Sequence, residues 1–162
     1  MAEALAVVSV VSSIVQLIDF TSKVLYRLNE FQQSYGEVPK SLRQIKAELP
    51  VLSKILQEAK AAINHGLFKE DSASQLLPVI QGFEAQIVEL DTILNKVLPN
   101  EHDSRARKAL KSLDSIRQDD KIERINRTLR RSISTLTFYY TASASTLQPL
   151  TGKNARRAVD LS

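Results

Sequence analysis

Histidine is the side chain most often used for acid–base chemistry near neutral pH, and this chain of 162 residues has two, His65 and His102. Both stand in polar, turn-like stretches, and neither has a partner at metal-ligand spacing. Cysteine is absent, which excludes disulfides, zinc–thiolate sites and a cysteine nucleophile. We therefore expect no metal and no cofactor.

The pair Gly152-Lys153 resembles the end of a phosphate-binding loop. Such a loop also needs a glycine five residues earlier, to turn its amides toward phosphate, and a hydroxyl after the lysine, to hold magnesium. Here those positions are Leu147 and Asn154. No Gly-x-Ser-x-Gly elbow occurs either. The sequence therefore predicts a protein that is not an enzyme and has no small-molecule substrate.

The composition is that of a folded, helical domain. Hydrophobic residues make up 43% of the chain and charged residues 25%, close to globular averages. Four glycines and five prolines are too few turn formers for an all-β sandwich. We therefore expect an all-α protein.

Apolar residues recur every three or four positions along four segments, which predicts long amphipathic helices over residues 2–34, 39–64, 71–98 and 105–147. Short connections favour an up-and-down helical bundle of four to five helices. Pro50 predicts a kink or a local break, and the length of the last segment predicts a break near Arg117 to Asp120. We expect a bundle domain over 1–147 and a basic tail or linker over 148–162.

The first helix is the most apolar element, with no charged residue from Ala4 to Ile18. The residues predicted to face the core are Ala4, Val7, Val11, Ile14, Ile18, Leu25 and Leu28. Leu5, Val10 and Leu17 fall outside this predicted seam. Fifteen residues are too few for an ordinary membrane span, which needs about 20. A secretory signal is disfavoured because no lysine or arginine precedes Lys23.

Two interpretations of this segment stay open. It is either the central helix of the bundle or a segment that leaves the bundle and enters a membrane. The candidate membrane-inserting residues are Ala4, Leu5, Val7, Val8, Val10, Val11, Ile14, Val15, Leu17 and Ile18.

Positive charge is concentrated in the last part of the chain, since residues 101–162 carry a net charge of +6 and residues 1–100 a net charge of −2. The candidate contacts to anionic lipid or to a partner are Arg117, Lys121, Arg124, Arg127, Arg130 and Arg131. The alternative is a solvated helix face partly neutralised by nearby carboxylates. Nucleic acid is not expected, because a recognition motif is absent and the aromatic cluster Phe138 to Tyr140 lies beyond the charges, where we expect core packing.

Several blocks of the sequence are similar to a known family. They are MAEALAVVSVVSSIVQLIDFTSKVLYRLNEF, VPKSLRQIKAELPVL, LLPVIQGFEAQIVELDTIL and KALKSL. The chain resembles, over roughly residues 1–145, the N-terminal domain of fungal NACHT and P-loop NTPase proteins, the SesA or HeLo-like group. The resemblance implies a helical effector or signalling domain of an NLR-like receptor, in which clustering exposes the N-terminal helix for membrane permeabilisation and regulated cell death. Some relatives carry glycines in that helix, and this chain has none before Gly36.

We therefore expect a cytoplasmic signalling and cell-death domain that associates with the plasma membrane on activation. Its expected partners are an anionic membrane surface and either a second copy or a related helical domain. The alternative is an adaptor that binds a protein partner without membrane activity.

Overall fold

The computed structural model describes residues 2–68, 70–100 and 102–145. Within these residues the chain forms four α-helices and no strand, which confirms the predicted all-α class. The helices are α1 (Ala2–Tyr35), α2 (Lys40–Asn64), α3 (Glu70–Val97) and α4 (Arg105–Ser145). The predicted tail, 148–162, and the boundary before it lie outside the described residues.

The helices pack as a four-membered bundle in which α1 and α4 lie on a diagonal. Helix α1 packs against α2 and most extensively against α3, and α4 packs against the same two helices. The five residues 65–69 span at most about 20 Å, and α2 is about 37 Å long, so α3 begins at the end where α2 stops. Because α2 and α3 are the other diagonal pair, this connection carries the chain across the end of the bundle.

The helix ends follow the local signals in the sequence. Gly36 and Gly66 adopt left-handed φ angles of 87° and 68° directly after α1 and α2, a conformation that glycine adopts without strain. The Oγ atom of Ser104 accepts a hydrogen bond from the amide of Arg107 at 3.3 Å and so caps the start of α4. The ends predicted for the helices over 2–34 and 39–64 and the start predicted at residue 105 are therefore confirmed to within one residue.

The core consists of one apolar seam from each helix. Every seam residue predicted in α2 and α3 is buried, and Phe83 is the largest side chain at the centre. These confirmed residues are Leu42, Ile45, Leu49, Leu52, Leu56, Ala59, Ile63, Leu76, Ile80, Phe83, Ile87, Leu90, Leu94 and Val97.

Two predictions for α4 are wrong. The helix runs without the break predicted near Arg117 to Asp120, because residues 105–145 contain no glycine or proline. With 41 residues, α4 is longer than the helices that it packs against. Phe138, predicted to pack in the core, is 68% exposed, and Leu110, which continues the three-to-four-residue apolar period of this segment, is 62% exposed. In α2, Pro50 lies inside a continuous helix, so no local break forms there.

Candidate functional site

The apolar N-terminal segment of α1 is divided between the core and the surface. Val10, Ile14 and Leu17 are fully buried. Three further residues are half-buried against the core, namely Val7, Val11 and Ile18. Four are exposed, namely Ala4, Leu5, Val8 and Val15. The predicted seam was therefore wrong at three positions, since Val10 and Leu17 lie inside the core and Ala4 lies outside it.

Contact with two neighbours at once explains this rotation of the seam. Helix α1 lies between α2 and α3, so the side that faces both becomes the core side. The opposite side keeps an apolar strip made of Leu5, Val8 and Val15, which are 68%, 65% and 48% exposed. We call these three residues the α1 strip. Helix α1 is also long and apolar enough to cross a membrane. Core helices of soluble proteins and signal sequences meet the same criterion.

The six basic residues of α4 that the sequence predicted as contacts fall into two groups. Arg124 and Arg130 form ion pairs with neighbouring helices: the Nη2 atom of Arg124 lies 3.4 Å from Oε1 of Glu89 in α3, and the Nε atom of Arg130 lies 2.9 Å from Oε1 of Glu48 in α2. These two ion pairs, formed by largely exposed arginines, join α4 to both of its neighbours. The other four are exposed and have no ion pair to the residues that the structure describes, namely Arg117, Lys121, Arg127 and Arg131. We call these four residues the basic face.

A polar contact that the sequence did not predict lies beside Arg130. The buried amide of Asn126 hydrogen-bonds to the amide of Gln44 at 2.6 Å, which joins α4 to α2. The Gln44 amide also lies against the Arg130 guanidinium. The sequence signal for this contact was Asn126 itself, a polar residue on an otherwise apolar face of α4.

A second unpredicted cluster closes the connection between α3 and α4. The Nζ atom of Lys111 donates to Oδ2 of Asp103 at 2.6 Å and to the carbonyl oxygen of Leu98 at 2.9 Å. The amide of Asn100 donates to the same carboxylate oxygen at 2.8 Å. The backbone N–H of Asn100 has the larger effect and the Lys111 ammonium the next. Both hold the pKa of Asp103 below its ordinary value, because they stabilise the charged carboxylate. The cluster has a structural role, since it provides a hydrogen-bond donor for a carbonyl oxygen at the end of α3.

The α1 strip and the basic face point away from each other, because α1 and α4 are diagonal helices of the bundle. The buried seam of α4, which includes Ile122, Ile125 and Leu129, faces the core between α2 and α3, so the basic face points outward. A flat membrane therefore cannot touch both surfaces of one folded bundle. The structure does not bring the two predicted groups of site residues together.

A shallow cleft lies where α1 ends beside the loop that follows α3. Its volume is about 240 Å³, and its lining includes Arg27, Tyr35 and His102. Arg27 already binds Asn95 and lies 3.9 Å from Asp91. Within the described residues, no group of three or more histidine, aspartate or glutamate side chains is placed to hold a metal ion.

These features define a helical-bundle domain whose distinctive surfaces are an apolar strip and an opposed basic face. Over residues 11–136 the sequence matches the SesA family, described as the N-terminal domain on NACHT NTPases and P-loop NTPases. The chain belongs to this family, whose domains are regulatory or effector domains and not catalytic ones. No curated protein and no solved structure matches the chain.

Proposed function

We propose that this chain is a non-enzymatic N-terminal signalling and cell-death effector domain of a fungal NLR-like receptor. It acts in the cytoplasm and reaches the plasma membrane when several copies cluster. Membership of the SesA family supports the receptor context. The observation that carries the membrane step is the α1 strip, a set of exposed apolar side chains on an uncharged N-terminal segment.

Release of the N-terminal half of α1, residues 4–18, from the bundle is the costly step. Burial of an aliphatic side chain stabilises a fold by about 1.5–3 kcal/mol, so withdrawing Val10, Ile14 and Leu17 from the core opposes release. Lipid returns much of this free energy because it also removes these side chains from water. Clustering adds to the gain, since several tethered copies bind one membrane more tightly than a single copy does. The α1 strip makes the first contact.

Dye release from liposomes by the purified chain tests this proposal. Liposomes of phosphatidylcholine alone and of phosphatidylcholine with phosphatidylserine are titrated with protein. We expect leakage that rises steeply with protein concentration. The variant Leu5→Ser/Val8→Ser should reduce leakage about tenfold or more, because it removes the first apolar contact but leaves the buried seam intact.

The matched control is Val51→Ser/Val88→Ser, which removes two exposed apolar side chains from α2 and α3. It should leak as the wild type does. Equal loss in both variants, or no leakage from the folded wild type at any concentration, would contradict the membrane step.

A second candidate function is an adaptor that stays folded and binds a protein partner. The fully buried seam of α1 favours it, since this helix is an integral part of the core. Absence of leakage together with a defined complex in size measurements would support the adaptor.

A further inference from the structure

The four helices sort by charge into two layers on opposite sides of the bundle. By sequence, α1 and α3 carry eight acidic and three basic side chains, a net charge of −5. Helices α2 and α4 carry six acidic and fifteen basic side chains, a net charge of +9. Because α1 packs beside α3 and α2 beside α4, we call these pairs the acidic layer and the basic layer. The chain order interleaves the two layers, so the segregation exists only in the folded bundle.

Four carboxylates of the acidic layer lie in the C-terminal halves of its two helices, further along α1 than the α1 strip. Asp19 and Glu30 are exposed on the C-terminal half of α1, and Glu84 and Asp91 are half-buried on the C-terminal half of α3. Asp19 pairs with Lys23 within the same helix, at 2.9 Å. No ion pair to a described residue is formed by Glu30 or Glu84. A partner that docks on this half of the layer leaves Leu5 and Val8 uncovered.

Each layer also presents an exposed aromatic side chain among its charges. Tyr26, 69% exposed, lies between Asp19 and Glu30 on the outer side of α1. Phe138, 68% exposed, follows Arg131 by two helical turns, on the same side of α4. Aromatic residues are enriched at protein interfaces because they bury large apolar areas with little loss of conformational freedom. The two surfaces therefore carry opposite charge, and each presents an exposed aromatic side chain that a partner can bury.

We propose that a second copy of this chain occupies these surfaces, with the basic layer of one copy docked on the acidic layer of the next. The contact is heterologous, since it joins two different faces, and so it repeats from copy to copy as a ring or an open stack. It supplies the clustering step and in that sense rests on the proposed function. It assigns the basic face to a protein contact, which fits the placement of that face on the opposite side from α1.

Charge reversal on each layer tests this arrangement in solution, without lipid. The first variant is Arg127→Glu/Arg131→Glu, which makes the basic layer acidic at two exposed positions. The second is Asp19→Lys/Glu30→Lys, which makes the acidic layer basic. Association is followed by sedimentation velocity over a range of protein and salt concentrations, and circular dichroism verifies that each variant is folded.

We expect the wild type to associate at low salt and to dissociate when salt is raised, with a weakening of about tenfold or more between 50 mM and 500 mM. Each variant alone should stay monomeric, because two layers of like charge repel. An equimolar mixture of the two variants should associate again, since each then offers the charge that the other lacks. The control Arg156→Glu/Arg157→Glu changes net charge as the first variant does, at two positions that belong to neither layer, and should associate as the wild type does.

Three outcomes would overturn the proposal. They are a wild type that stays monomeric at low salt, variants that each associate as well as the wild type, and a mixture that does not associate. A monomeric wild type that binds phosphatidylserine vesicles through Arg127 and Arg131 would assign the basic face to lipid instead. Intact association without leakage would contradict the membrane step alone, so the two proposals fail separately.

Discussion

Lys111 and Asp103 form the most enclosed ion pair among the described residues. Their side chains are 10% and 7% exposed, and Nζ of Lys111 lies 2.6 Å from Oδ2 of Asp103. Since the same ammonium also binds the carbonyl oxygen of Leu98, it joins the end of α3 to the first turns of α4. This pair holds the connection between the two helices in place. Neither residue was among the predicted site residues.

Replacement of Lys111 by methionine should destabilise the bundle. The variant keeps the length and the apolar stem of the side chain but leaves the Asp103 carboxylate and the Leu98 carbonyl without their shared donor. We expect the Tm to fall by about 3–8 °C. Thermal unfolding followed by circular dichroism measures this. Lys121→Met, at an exposed position about three turns further along α4, is the control, and an equal fall in both variants would contradict a specific role for Lys111.

The stability contributed by Asp103 should depend on pH. Its pKa is lowered in the folded state, first by the Asn100 amide and then by Lys111, so the charged carboxylate stabilises the fold above the ordinary value of 3.8. This contribution is lost as the pH falls through the lowered pKa. The difference in Tm between the wild type and Asp103→Asn should therefore be largest near pH 7 and shrink below about pH 4. A difference that stays constant from pH 7 to pH 3 would contradict this prediction.

Replacement of Thr21 by valine should stabilise the bundle. Thr21 is fully buried in the α1 seam, and its Oγ1 atom has no hydrogen-bond partner among the described residues. Valine has nearly the same shape and avoids burial of an unpaired hydroxyl, so we expect the free energy of unfolding to rise by about 1 kcal/mol. Chemical denaturation measures the change. Thr21→Ser keeps the hydroxyl and loses a methyl group, and it should be less stable than the wild type.

Weaker packing of α1 should increase membrane activity while it lowers stability. Leu17 is fully buried, so Leu17→Ala should cost about 2–5 kcal/mol in the free energy of unfolding. If the N-terminal half of α1 must leave the bundle, the same variant should cause leakage at a lower protein concentration than the wild type. The control Leu56→Ala makes a comparable cavity in α2 and tests whether general loosening suffices. Leakage unchanged in Leu17→Ala would show that release of α1 is not required.

The fold was largely predictable because the strongest signals are local. In α2 and α3, apolar residues occupy one side and polar residues the other, so the seams through Leu49 and Phe83 follow from the sequence period alone. Gly36 and Gly66 end their helices through their own backbone freedom. The four helices and their alternating directions follow from these features.

The candidate site was less predictable, because it depends on which helices become neighbours. In α1, apolar residues occur on nearly every side, so the period could not show that Val10 and Leu17 face the core or that Val8 faces solvent. The stripe in α4 looked uniform in the sequence, but Arg124 and Arg130 find carboxylates on α3 and α2, and Arg127 and Arg131 do not.

The sequence by itself determined the helical class, the seams of α2 and α3, the helix ends and the uncharged N-terminal segment, since each depends on residues close together in the chain. The tertiary structure decided the side of α1 that is buried, the split of the basic stripe and the placement of the α1 strip opposite the basic face. It also created the two charged layers, because the connection after α2 crosses the bundle and brings α1 beside α3 and α2 beside α4. Long-range packing sets these features, and no local pattern of residues encodes them.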